Sequence, residues 1–421
     1  TDFNERGTQT VDGNLTEQYD LLSNSNTVGR GFFNSLFYKH SSESNESDFT
    51  TQINHYNYTS NTDNDYRFNY SYLSGAEIEP LEISRIEESA NNRNVIEWKN
   101  DFSQAVKQLR LKMGFWTYYQ WIENENTEQF QVKNFDYSEW RHEGYLNAAG
   151  KTGALQYSGG ARLAFSRSKI NHQATNKYME LLPQANLMYT IKKGQSIKLN
   201  AGRRIIRPDM NQLDPFETRP DSLTIIKGNP NLKPQLINKI ELEYAINYKS
   251  NYVGPKLYCA MSKNAIQQKT TITNEGVSIN MQDNIGEIIE YGLLISSSIN
   301  ITRWAKLNAT TGVSNTILNS ESNYRKEKLS SLINGSAIFS PWKERKLSFT
   351  TMVQYNGPRI GYKTETKKDW LVLLGINGNI SDNWKFYLYG NPVAQKYKYH
   401  GTTYRDDHYT SYTEGRVDVS Y

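Results

Sequence analysis

The sequence predicts an all-β fold, namely a transmembrane, antiparallel, up-and-down outer-membrane β-barrel of about 20–22 strands with short periplasmic turns and long external loops. Three observations support this prediction. Apolar and polar residues alternate with period two over long segments of the chain. Tyrosine, phenylalanine and tryptophan are abundant, with 30, 15 and 8 copies in 421 residues. Only 37% of the residues are hydrophobic, and the wall of a wide barrel needs apolar side chains on one face alone.

The composition excludes several other classes of protein. A membrane-spanning helix needs about 20 consecutive, mostly apolar residues, and no stretch of the chain approaches that. The hydrophobic fraction of 37% is also low for a large soluble protein, in which about 45–50% of residues are usually apolar. The mean hydropathy is correspondingly low, at −0.74. Intrinsic disorder is disfavoured because 13% of the residues are aromatic and the net charge is only +4.

Charge and cysteine content narrow the range of partners. The 48 basic and 44 acidic residues form no block of one sign, so the sequence predicts no nucleic-acid partner. Cys259 is the only cysteine, which excludes an intrachain disulfide and a thiolate-rich metal site. Its side chain shares the parity of Leu257 and Met261, and we expect a buried or lipid-facing thiol rather than a reactive one.

The clearest strand covers residues 236–248. Most of its apolar side chains fall on one parity and its charged side chains on the other, which predicts one apolar face and one wet face. The positions predicted to face lipid are Leu236, Ile240, Leu242 and Tyr244. The positions predicted to face the barrel lumen are Lys239, Glu241 and Glu243.

The same alternation recurs in hairpins along the chain. It adds Leu293, Ile295, Val372 and Leu374 to the residues predicted to face lipid, and Arg110, Lys112 and Arg162 to those predicted to face the lumen. The main alternative is a soluble β-sandwich or propeller, and sandwich strands average about 5–6 residues. The alternating segments here run for about 10–15 residues, the length of a tilted strand that crosses a bilayer, and the barrel is therefore favoured.

The alternation divides the chain into about nineteen strands. Since single-chain bacterial barrels have even strand numbers, we expect at least one more strand or a truncated amino-terminal end. The predicted strands cover residues 5–17, 28–39, 47–59, 65–74, 93–103, 107–121, 132–148, 152–167, 180–191, 196–206, 235–248, 255–268, 285–301, 304–318, 328–339, 345–357, 369–381, 384–395 and 409–421. The long polar connections predicted to lie outside are residues 75–92, 123–128, 168–177, 207–234, 269–283, 318–328, 357–368 and 396–408.

Many aromatic residues stand near the ends of the apolar runs. We expect them to form the aromatic girdles at the two rims of an outer-membrane barrel. This group comprises Trp98, Phe102, Phe115, Trp116, Tyr118, Tyr119, Phe135, Tyr137, Trp140, Tyr145, Trp304, Phe339, Trp342, Trp370 and Trp384. The last predicted strand ends on Tyr421, and this resembles the carboxyl-terminal aromatic signal that the assembly machinery of outer-membrane proteins reads.

The connection of residues 207–234 stands out among the predicted loops. Five prolines interrupt it and forbid a regular β-ladder. A loop of about 28 residues is uncommon unless it is functional or disordered, so we expect it to pack over the lumen or to contact a partner. A merely structural external loop is the alternative. The candidate ligand or partner residues are Arg207, Asp209, Asn211, Asp214 and Phe216.

The sequence predicts no enzyme, no cofactor and no metal site. No glycine-rich phosphate loop leads from a strand into a helix, and no Gly-x-Ser-x-Gly motif occurs. The six histidines are scattered along the chain. His400 and His408 share one predicted loop with Asp406 and Asp407, and a solvated loop is favoured there over a metal site.

Several short motifs resemble those of a known family. The longer ones are LNAGRRIIRP at residues 199–208, NQLDPF at 211–216 and GNPNLKP at 228–234. FDYSE at residues 135–139 and NIG at 284–286 accompany them. Over nearly its whole length the chain resembles the TonB-dependent outer-membrane receptor superfamily, and most closely its outer-membrane β-barrel family branch.

This resemblance implies the barrel of a receptor-like transporter that takes up a bulky nutrient across the outer membrane of a Gram-negative bacterium. Its implied partners are outer-membrane lipid, a plug domain or plug-like protein in the lumen, and an energy-coupling protein of the inner membrane. We expect residues 1–421 to be the transmembrane β-barrel domain, with the signal peptide and the plug domain absent from this chain. The alternative is a non-transporting barrel subunit that scaffolds a larger complex with a surface lipoprotein or other outer-membrane subunits.

Overall fold

The fold is taken from a computed structural model of the chain. The structure describes residues 2–11, 14–44, 46–72, 80–128, 131–171, 174–221, 224–273, 277–320, 324–341, 347–379, 384–390, 398–400, 404–405, 409–412 and 414–416. The predicted carboxyl-terminal residue Tyr421 and the predicted rim residue Trp342 lie outside these ranges.

The described residues are almost all in strands. The strands are β1 (Asp2–Val11), β2 (Asn14–Ser42), β3 (Ser47–Tyr72), β4 (Pro80–Val106), β5 (Leu109–Glu128), β6 (Gln131–Thr152), β7 (Leu155–Ile170), β8 (Ala174–Lys192), β9 (Gln195–Ile206), β10 (Thr218–Asp221), β11 (Thr224–Lys227), β12 (Gln235–Tyr248), β13 (Asn251–Lys263), β14 (Ile266–Ile272), β15 (Ser278–Asn284), β16 (Gly286–Asn300), β17 (Ala305–Ser320), β18 (Arg325–Phe339), β19 (Leu347–Asn356), β20 (Arg359–Gly361), β21 (Thr364–Thr366), β22 (Asp369–Asn379), β23 (Lys385–Gly390), β24 (Lys398–His400), β25 (Tyr404–Arg405), β26 (Tyr409–Tyr412) and β27 (Glu414–Arg416). The helix α1 covers Met210–Leu213. None of the helices in the described ranges has the length and apolar character to cross a membrane.

One large sheet dominates the structure, with 19 strands among the described residues. Strands β1 to β9 pair in chain order, each antiparallel to the next. The order continues through β12, β13, β16, β17, β18, β19, β22 and β23, again antiparallel. Strand β1 also pairs with β26, which brings the first strand beside one near the end of the chain. The predicted all-β, antiparallel, up-and-down architecture is confirmed.

Direct partners on neighbouring strands share a face of the sheet, so the register shows which side chains lie together. One row of direct partners from β7 to β17 is apolar, namely Tyr157, Leu187, Leu199, Leu242, Leu257, Leu293 and Val313. One residue further along, the row on the opposite face is Ser158, Asn186, Asn200, Glu241, Tyr258, Gly292 and Ser314. We call these two sides of the sheet the apolar face and the polar face.

The two sets of residues that the alternation predicts fall on these two faces. Direct pairings connect Lys112 to Lys239 along one polar row through Asn147, Gly160, Gln184 and Gly202. The polar face also carries Arg110, Arg162, Glu241 and Glu243. The apolar face carries Leu236, Ile240, Leu242, Tyr244, Leu293, Ile295, Val372 and Leu374, and Cys259 is exposed there. That the apolar face meets lipid and the polar face lines the lumen remains a prediction.

The two ends of the strands differ in their connections. At one end, tight turns at residues 107–108, 153–154, 193–194 and 249–250 join successive strands. At the other end the 28-residue connection 207–234 contains α1, β10 and β11, and the connection between β13 and β16 contains the hairpin of β14 and β15. A further hairpin of β20 and β21 stands at the same end, where Ile360 and Tyr362 pack on a cluster of Ala265, Ile285 and Leu318.

The predicted strand boundaries are wrong in the amino-terminal quarter. The predicted break between residues 17 and 28 lies inside β2, which runs unbroken for 29 residues, and the predicted break between 59 and 65 lies inside β3. The predicted loop 75–92 is strand from Pro80 onward, and residues 123–128 belong to β5. Backbone hydrogen bonds need no apolar side chain, so pairing continues through polar sequence beyond the apolar band.

The girdle prediction is wrong for a third of its aromatic residues. Trp98 and Trp140 lie on the apolar face and are 46% and 44% exposed, as a girdle requires. Five others lie on the polar face, namely Trp116, Tyr118, Phe135, Tyr137 and Tyr145. Runs of adjacent aromatic residues such as residues 115–116 and 118–119 place one ring on each face, because side chains alternate along a strand.

Candidate functional site

The long loop, residues 207–234, folds back onto the polar face beside β5, β6 and β7. Leu213 and Leu232 of this loop are each 3% exposed. They belong to one buried cluster with four strand residues, Ile122, Phe135, Tyr137 and Ile170. Direct pairing places Ile122, Tyr137 and Ile170 in a single row of the polar face. The long loop therefore covers part of the polar face instead of extending away from the sheet.

Local hydrogen bonds fix the conformation of the long loop. Asp209 caps helix α1, since its carboxylate accepts a hydrogen bond from Gln212 N at 2.9 Å while the Gln212 Oε1 atom accepts one from Asp209 N at 3.1 Å. Further on, Gly228 N donates to Asp214 O at 2.7 Å. A Cβ atom on Gly228 would stand 2.5 Å from that same oxygen, so this close approach requires glycine.

The long loop is joined to the neighbouring hairpin of β14 and β15. Strand β11 pairs in parallel with β15, and β10 pairs with β11, which gives a separate sheet of four strands. Asn284 fastens the base of this sheet: its Oδ1 accepts from Lys233 N at 2.8 Å and its Nδ2 donates to Lys233 O at 3.0 Å. The Asn284 and Gly228–Pro234 motifs, 50 residues apart in sequence, thus meet at one place.

Arg207, the first residue of the long loop, is anchored in the polar face. Its guanidinium donates to Glu143 Oε1 at 2.8 Å, and Arg162 donates to the other carboxylate oxygen of Glu143 at 3.0 Å. Glu143 is largely buried, with 7% of its side chain exposed, and Arg207 has 14%. A cavity of about 290 Å³ lies against this group and is lined in part by Tyr145 and Arg204. The Nε atom of Arg207 is buried without a hydrogen-bond partner in the described part of the protein.

Glu139, four residues before Glu143 on β6, is 2% exposed, and hydrogen-bond donors surround its carboxylate. Arg141 donates two hydrogen bonds to its carboxylate, both at 2.6 Å. Gln120, Tyr137 and Ser166 donate one each, at 2.9, 3.0 and 2.9 Å. A buried carboxylate is tolerated when donors satisfy its oxygens, and these five bonds make Glu139 a structural element of the polar face rather than a free acid or base.

A pocket of about 440 Å³ opens between the long loop and the hairpin of β14 and β15. Most of its polar lining is uncharged, consisting of Asn211, Gln212, Thr218, Gln268, Asn280 and Gln282. Its apolar lining comprises Phe216, Ile226 and Met281. This combination of side-chain amides with one aromatic ring suits a ligand that has several hydrogen-bonding groups and an apolar surface.

The charged residues of the pocket are two carboxylates and one ammonium group. Lys227 lies 3.2 Å from the carboxylate of Glu217 and is therefore paired. Burial raises the pKa of the Asp214 carboxyl above its ordinary value, against the opposing effects of the hydrogen bond from Phe216 N and the charge of Lys133. Among its described lining residues, the pocket consequently offers no unpaired cation to an anionic ligand.

The structure brings together most of the residues that the sequence nominates in this loop. Asp209, Asn211, Asp214 and Phe216 line the pocket, whereas Arg207 lies at the separate cavity beside Glu143. The sequence reasoning missed a second group, the strand and hairpin residues that hold the loop, namely Phe135, Tyr137, Glu143 and Asn284. A signal for most of them was present, because residues 135–139 and 284–286 are two of the short motifs that the family resemblance uses.

The remaining predicted sites are unremarkable in the described residues. Glu241 accepts hydrogen bonds from Lys239 and Lys256 across 2.9 and 3.2 Å, so its carboxylate is paired with two cations of the polar face. No group of three histidine, cysteine or carboxylate side chains able to hold a metal ion occurs in the part of the chain that the structure describes. Asp406, Asp407 and His408 lie outside that part.

Comparison with known proteins agrees with this architecture. The model of the outer membrane protein beta-barrel family matches residues 40–421. No curated protein matches the chain in sequence.

Solved structures with a similar fold include two transporters and a receptor. The match to the FrpB iron transporter from Neisseria meningitidis (F3-3 variant) covers 99% of this chain and 80% of the transporter chain, with a TM-score of 0.55 at 11% identity. The copper transporter OprC matches 92% and 73%, with a TM-score of 0.58 at 10% identity. The ferripyoverdine receptor of the outer membrane of Pseudomonas aeruginosa matches 99% and 71%, with a TM-score of 0.56 at 10% identity. At such identities the likeness shows the fold.

Proposed function

Because the chain belongs to the outer membrane protein beta-barrel family, we propose that it forms the barrel of a TonB-dependent receptor-like transporter that takes up a bulky nutrient. The observation that carries this proposal is the pocket between the long loop and the hairpin of β14 and β15. The loop that forms it is held on the polar face by Leu213, Leu232 and Arg207. A structured, polar pocket at the loop end of a wide outer-membrane barrel is where a ligand would first be captured.

The two faces of the sheet support this placement. In an outer-membrane barrel the apolar side chains point to lipid and the polar ones to the interior. With that orientation, the tight turns lie at the periplasmic end and the long loop covers part of the lumen at the external end. Uptake through this lumen implies a plug domain or plug-like protein inside it and an energy-coupling protein of the inner membrane.

The test is growth of a strain in which the gene is deleted and then restored. We expect the restored strain, but not the deletion strain, to grow on at least one limiting nutrient from a panel of ferric chelates, oligosaccharides and oligopeptides. The paired substitutions Asn211→Ala and Phe216→Ala should abolish that growth, since both side chains line the pocket. Arg325→Ala, an exposed position on β18 outside the pocket, is the matched control and should leave growth unchanged.

A second function is favoured by a different observation. Strands β2, β3 and β4 have 29, 26 and 27 residues, whereas β7 and β9 have 16 and 12. At about 3.3 Å per residue, the excess of β2 over β7 corresponds to roughly 40 Å of additional strand. The additional length of β2, β3 and β4 would give a binding surface beyond the barrel wall. Such a surface would suit a non-transporting barrel subunit that scaffolds a surface lipoprotein or another outer-membrane subunit.

The two functions give opposite results in the same strains. A scaffold predicts that deletion changes no nutrient requirement but releases a partner protein from the outer-membrane complex, as seen by crosslinking and purification. A transporter predicts loss of growth on one nutrient without loss of any other outer-membrane protein. Growth that is identical in the deletion and restored strains on every nutrient would overturn the transporter proposal.

A further inference from the structure

Four aromatic side chains stand exposed on the polar face of β2 and β3, and we call them the aromatic patch: Phe33, Phe37, Tyr56 and Tyr58. Direct pairing places Phe33 and Tyr56 in the same row as Glu139 of the polar face. They are 58% and 42% exposed, whereas Glu139 is 2% exposed. Strand side chains enclose Glu139 in the part of this row on β6, whereas the part on β2 and β3 is open.

The aromatic patch is not explained by contact with lipid. On β2 the apolar face already has its own large side chains, namely Phe32, Leu36 and Tyr38, with 56–71% exposure. The residues of the aromatic patch alternate with these and point to the opposite side. The interior of an outer-membrane barrel is usually polar, so exposed phenyl and phenol rings on that face call for a ligand or partner that covers them.

The rings of the aromatic patch present open surfaces. The centroids of Phe33 and Tyr56 are 4.7 Å apart and their planes are tilted by 32°, so the two rings form one continuous apolar surface. The Tyr58 ring lies across Gly29 and Gly31, where a Cβ atom would stand 2.7 and 3.6 Å from its atoms. The glycine at position 29 therefore leaves room for the Tyr58 ring on β2, with 46% of the residue still exposed.

The polar groups between the rings are neutral or internally satisfied. Ser35, Gln52 and Asn54 form a connected set: Ser35 Oγ and Gln52 Nε2 donate to Asn54 Oδ1 at 2.8 and 2.9 Å. Asn54 Nδ2 donates to Glu97 Oε2 at 3.0 Å, and Trp116 Nε1 donates to Glu97 Oε1 at 2.5 Å. The Glu97 carboxylate is therefore occupied by two neutral donors.

Nearby cations are also engaged within the wall, and Lys39, two residues beyond Phe37, lies 4.0 Å from the carboxylate of Asp48. Arg93, the direct partner of Tyr58, donates to Gln120 Oε1 at 3.3 Å. Lys99 lies 3.5 Å from the carboxylate of Asp101. An anionic ligand would have to compete for these cations, whereas a neutral ligand with apolar surfaces and hydroxyl groups would meet the rings and the amides directly.

We propose that the aromatic patch is a binding site for a neutral oligosaccharide, whose sugar rings stack on Phe33, Tyr56 and Tyr58 while its hydroxyl groups bond to Gln52 and the tyrosine hydroxyls. A sugar ring has an apolar face of C–H groups and a rim of hydroxyls, which matches flat aromatic rings interspersed with amides. This inference rests on the proposed function in that the polar face must line the lumen. It names the class of nutrient that the barrel takes up.

Adjacent residues supply a matched control for the test. Phe33 and Phe32 have the same side chain with 58% and 69% exposure, but they stand on opposite faces of β2. The full-length protein, purified in detergent from outer membranes, is applied to an array of neutral gluco-, manno-, galacto- and fructo-oligosaccharides, with sialylated and sulfated oligosaccharides and ferric enterobactin as anionic probes. The tightest binder is then measured by titration calorimetry.

We expect a neutral oligosaccharide to bind, and Phe33→Ala and Tyr58→Ala each to weaken it about tenfold or more while Phe32→Ala leaves it unchanged. Tyr58→Phe should retain most of the stacking contribution. The proposal is overturned if only anionic probes bind, if no array member binds, or if Phe33→Ala binds as the wild type does. It is also overturned if Phe33→Ala and Tyr58→Ala instead release a co-purifying polypeptide, because the patch would then be a protein interface.

The binding measurement and the growth experiment fail separately. If binding depends on Phe33 but the deletion strain grows normally, the oligosaccharide site is supported and the transport function is rejected. If growth depends on the gene but no oligosaccharide binds, the transport function is supported and the oligosaccharide site is rejected. Loss of binding in Phe32→Ala but not in Phe33→Ala would show that the two faces are assigned the wrong way round.

Discussion

Arg207 and Glu143 form a largely buried ion pair, 2.8 Å between guanidinium nitrogen and carboxylate oxygen, that ties the first residue of the long loop to the middle of β6. The partners are 64 residues apart in sequence. Arg162 of β7 lies 3.0 Å from the other carboxylate oxygen of Glu143, so a single carboxylate holds two cations. One acidic residue of a strand therefore contributes, together with the buried cluster of Leu213 and Leu232, to holding the long loop on the polar face.

Replacing Glu143 by alanine should release the long loop. The substitution leaves Arg207 and Arg162 without their carboxylate, and removal of one partner from a buried ion pair typically costs about 3–5 kcal/mol. We expect trypsin to cleave the protein in its native membrane after Lys227 at least about tenfold faster, because the loop would leave the sheet more often. The readout is the rate of appearance of the two fragments by mass spectrometry.

Glu241→Gln is the control for this experiment. Glu241 also bridges two cations on the polar face, Lys239 and Lys256, but it lies on β12 and both of these partners are strand residues outside the long loop. Its loss should leave the cleavage rate at Lys227 unchanged. Equal rates in Glu143→Ala and the wild type would mean that the hydrophobic cluster of Leu213 and Leu232 alone fixes the loop.

The faces of β12 can be tested by placing one cation on either side. Leu242→Arg puts the charge on the apolar face, where a cation near the bilayer midplane costs about 2–4 kcal/mol. Glu241→Arg puts the same side chain on the polar face, among groups that already include Lys239 and Lys256. We expect Leu242→Arg to reduce the amount of folded protein in the outer membrane strongly and Glu241→Arg to be tolerated. Equal assembly of the two variants would show that the assignment of faces is wrong.

Much of this architecture could be predicted from sequence because a period-two pattern is local information. The alternation of residues 236–248 predicts both the strand and its two faces, and the register then places Leu242 and Glu241 on opposite sides. The same rule failed in β2 and β3, where polar residues such as Asn61 and Asp63 suggest a turn. There the ladder of backbone hydrogen bonds continues, and composition alone does not mark where it stops.

The candidate site was predictable only in part. Prolines and length single out the long loop, and four of its five nominated residues line the pocket. Its supports are non-local: Glu143 meets Arg207, and Asn284 meets Lys233, only once the register of the whole sheet is set. A single sequence contains no spacing rule for such contacts. The aromatic patch was missed for a related reason. Phe32 and Phe33 are adjacent and both apolar, and only the strand register shows that they lie on opposite faces of β2.

Acidification should stabilise the long loop through Asp214. Burial raises the pKa of this carboxyl in the folded state, so the folded loop prefers the protonated form and is destabilised when the group ionises. Lowering the pH from neutral through that raised pKa should therefore strengthen protection of the 209–216 amides against hydrogen exchange. The effect should appear above the pH range in which an ordinary aspartate titrates.

Asp214→Asn provides the comparison for this pH effect. Asparagine is neutral at every pH and keeps an oxygen to accept the hydrogen bond from Phe216 N. Its protection at pH 7 should equal or exceed that of the wild type, and the dependence on pH should be smaller. Weaker protection in Asp214→Asn at pH 7 would show that the ionised carboxylate stabilises the loop.

Two glycines in tight turns should differ in their tolerance of alanine. Gly194 has φ +80° between β8 and β9, and a Cβ atom there would lie 2.3 Å from Asn247 O. Gly153 has φ +57° between β6 and β7, with nothing within 4 Å of such an atom. Gly153→Ala should cost only the left-handed conformation, about 1–2 kcal/mol, whereas Gly194→Ala must also displace the backbone at Asn247.

The measurement for the two glycines is the temperature at which the folded band on an unboiled gel converts to the unfolded band. Both variants should convert below the wild type, and Gly194→Ala should convert at the lower temperature of the two. If Gly153→Ala instead converted at the lower temperature, that result would contradict the close contact between Gly194 and Asn247. A wild-type band that does not move on heating would count against the barrel itself.

The single cysteine offers a direct test of which face meets lipid. Cys259 is exposed on the apolar face, as the direct partner of Ile240 on one side and Tyr291 on the other. In intact outer membranes it should react with a lipid-soluble maleimide and resist a charged, water-soluble one. In a Cys259→Ser background, Ala260→Cys places the thiol one residue away on the polar face, where the water-soluble reagent should label it. Labelling of Cys259 by the charged reagent at the rate of Ala260→Cys would mean that water reaches both faces, and no lipid-facing side would remain.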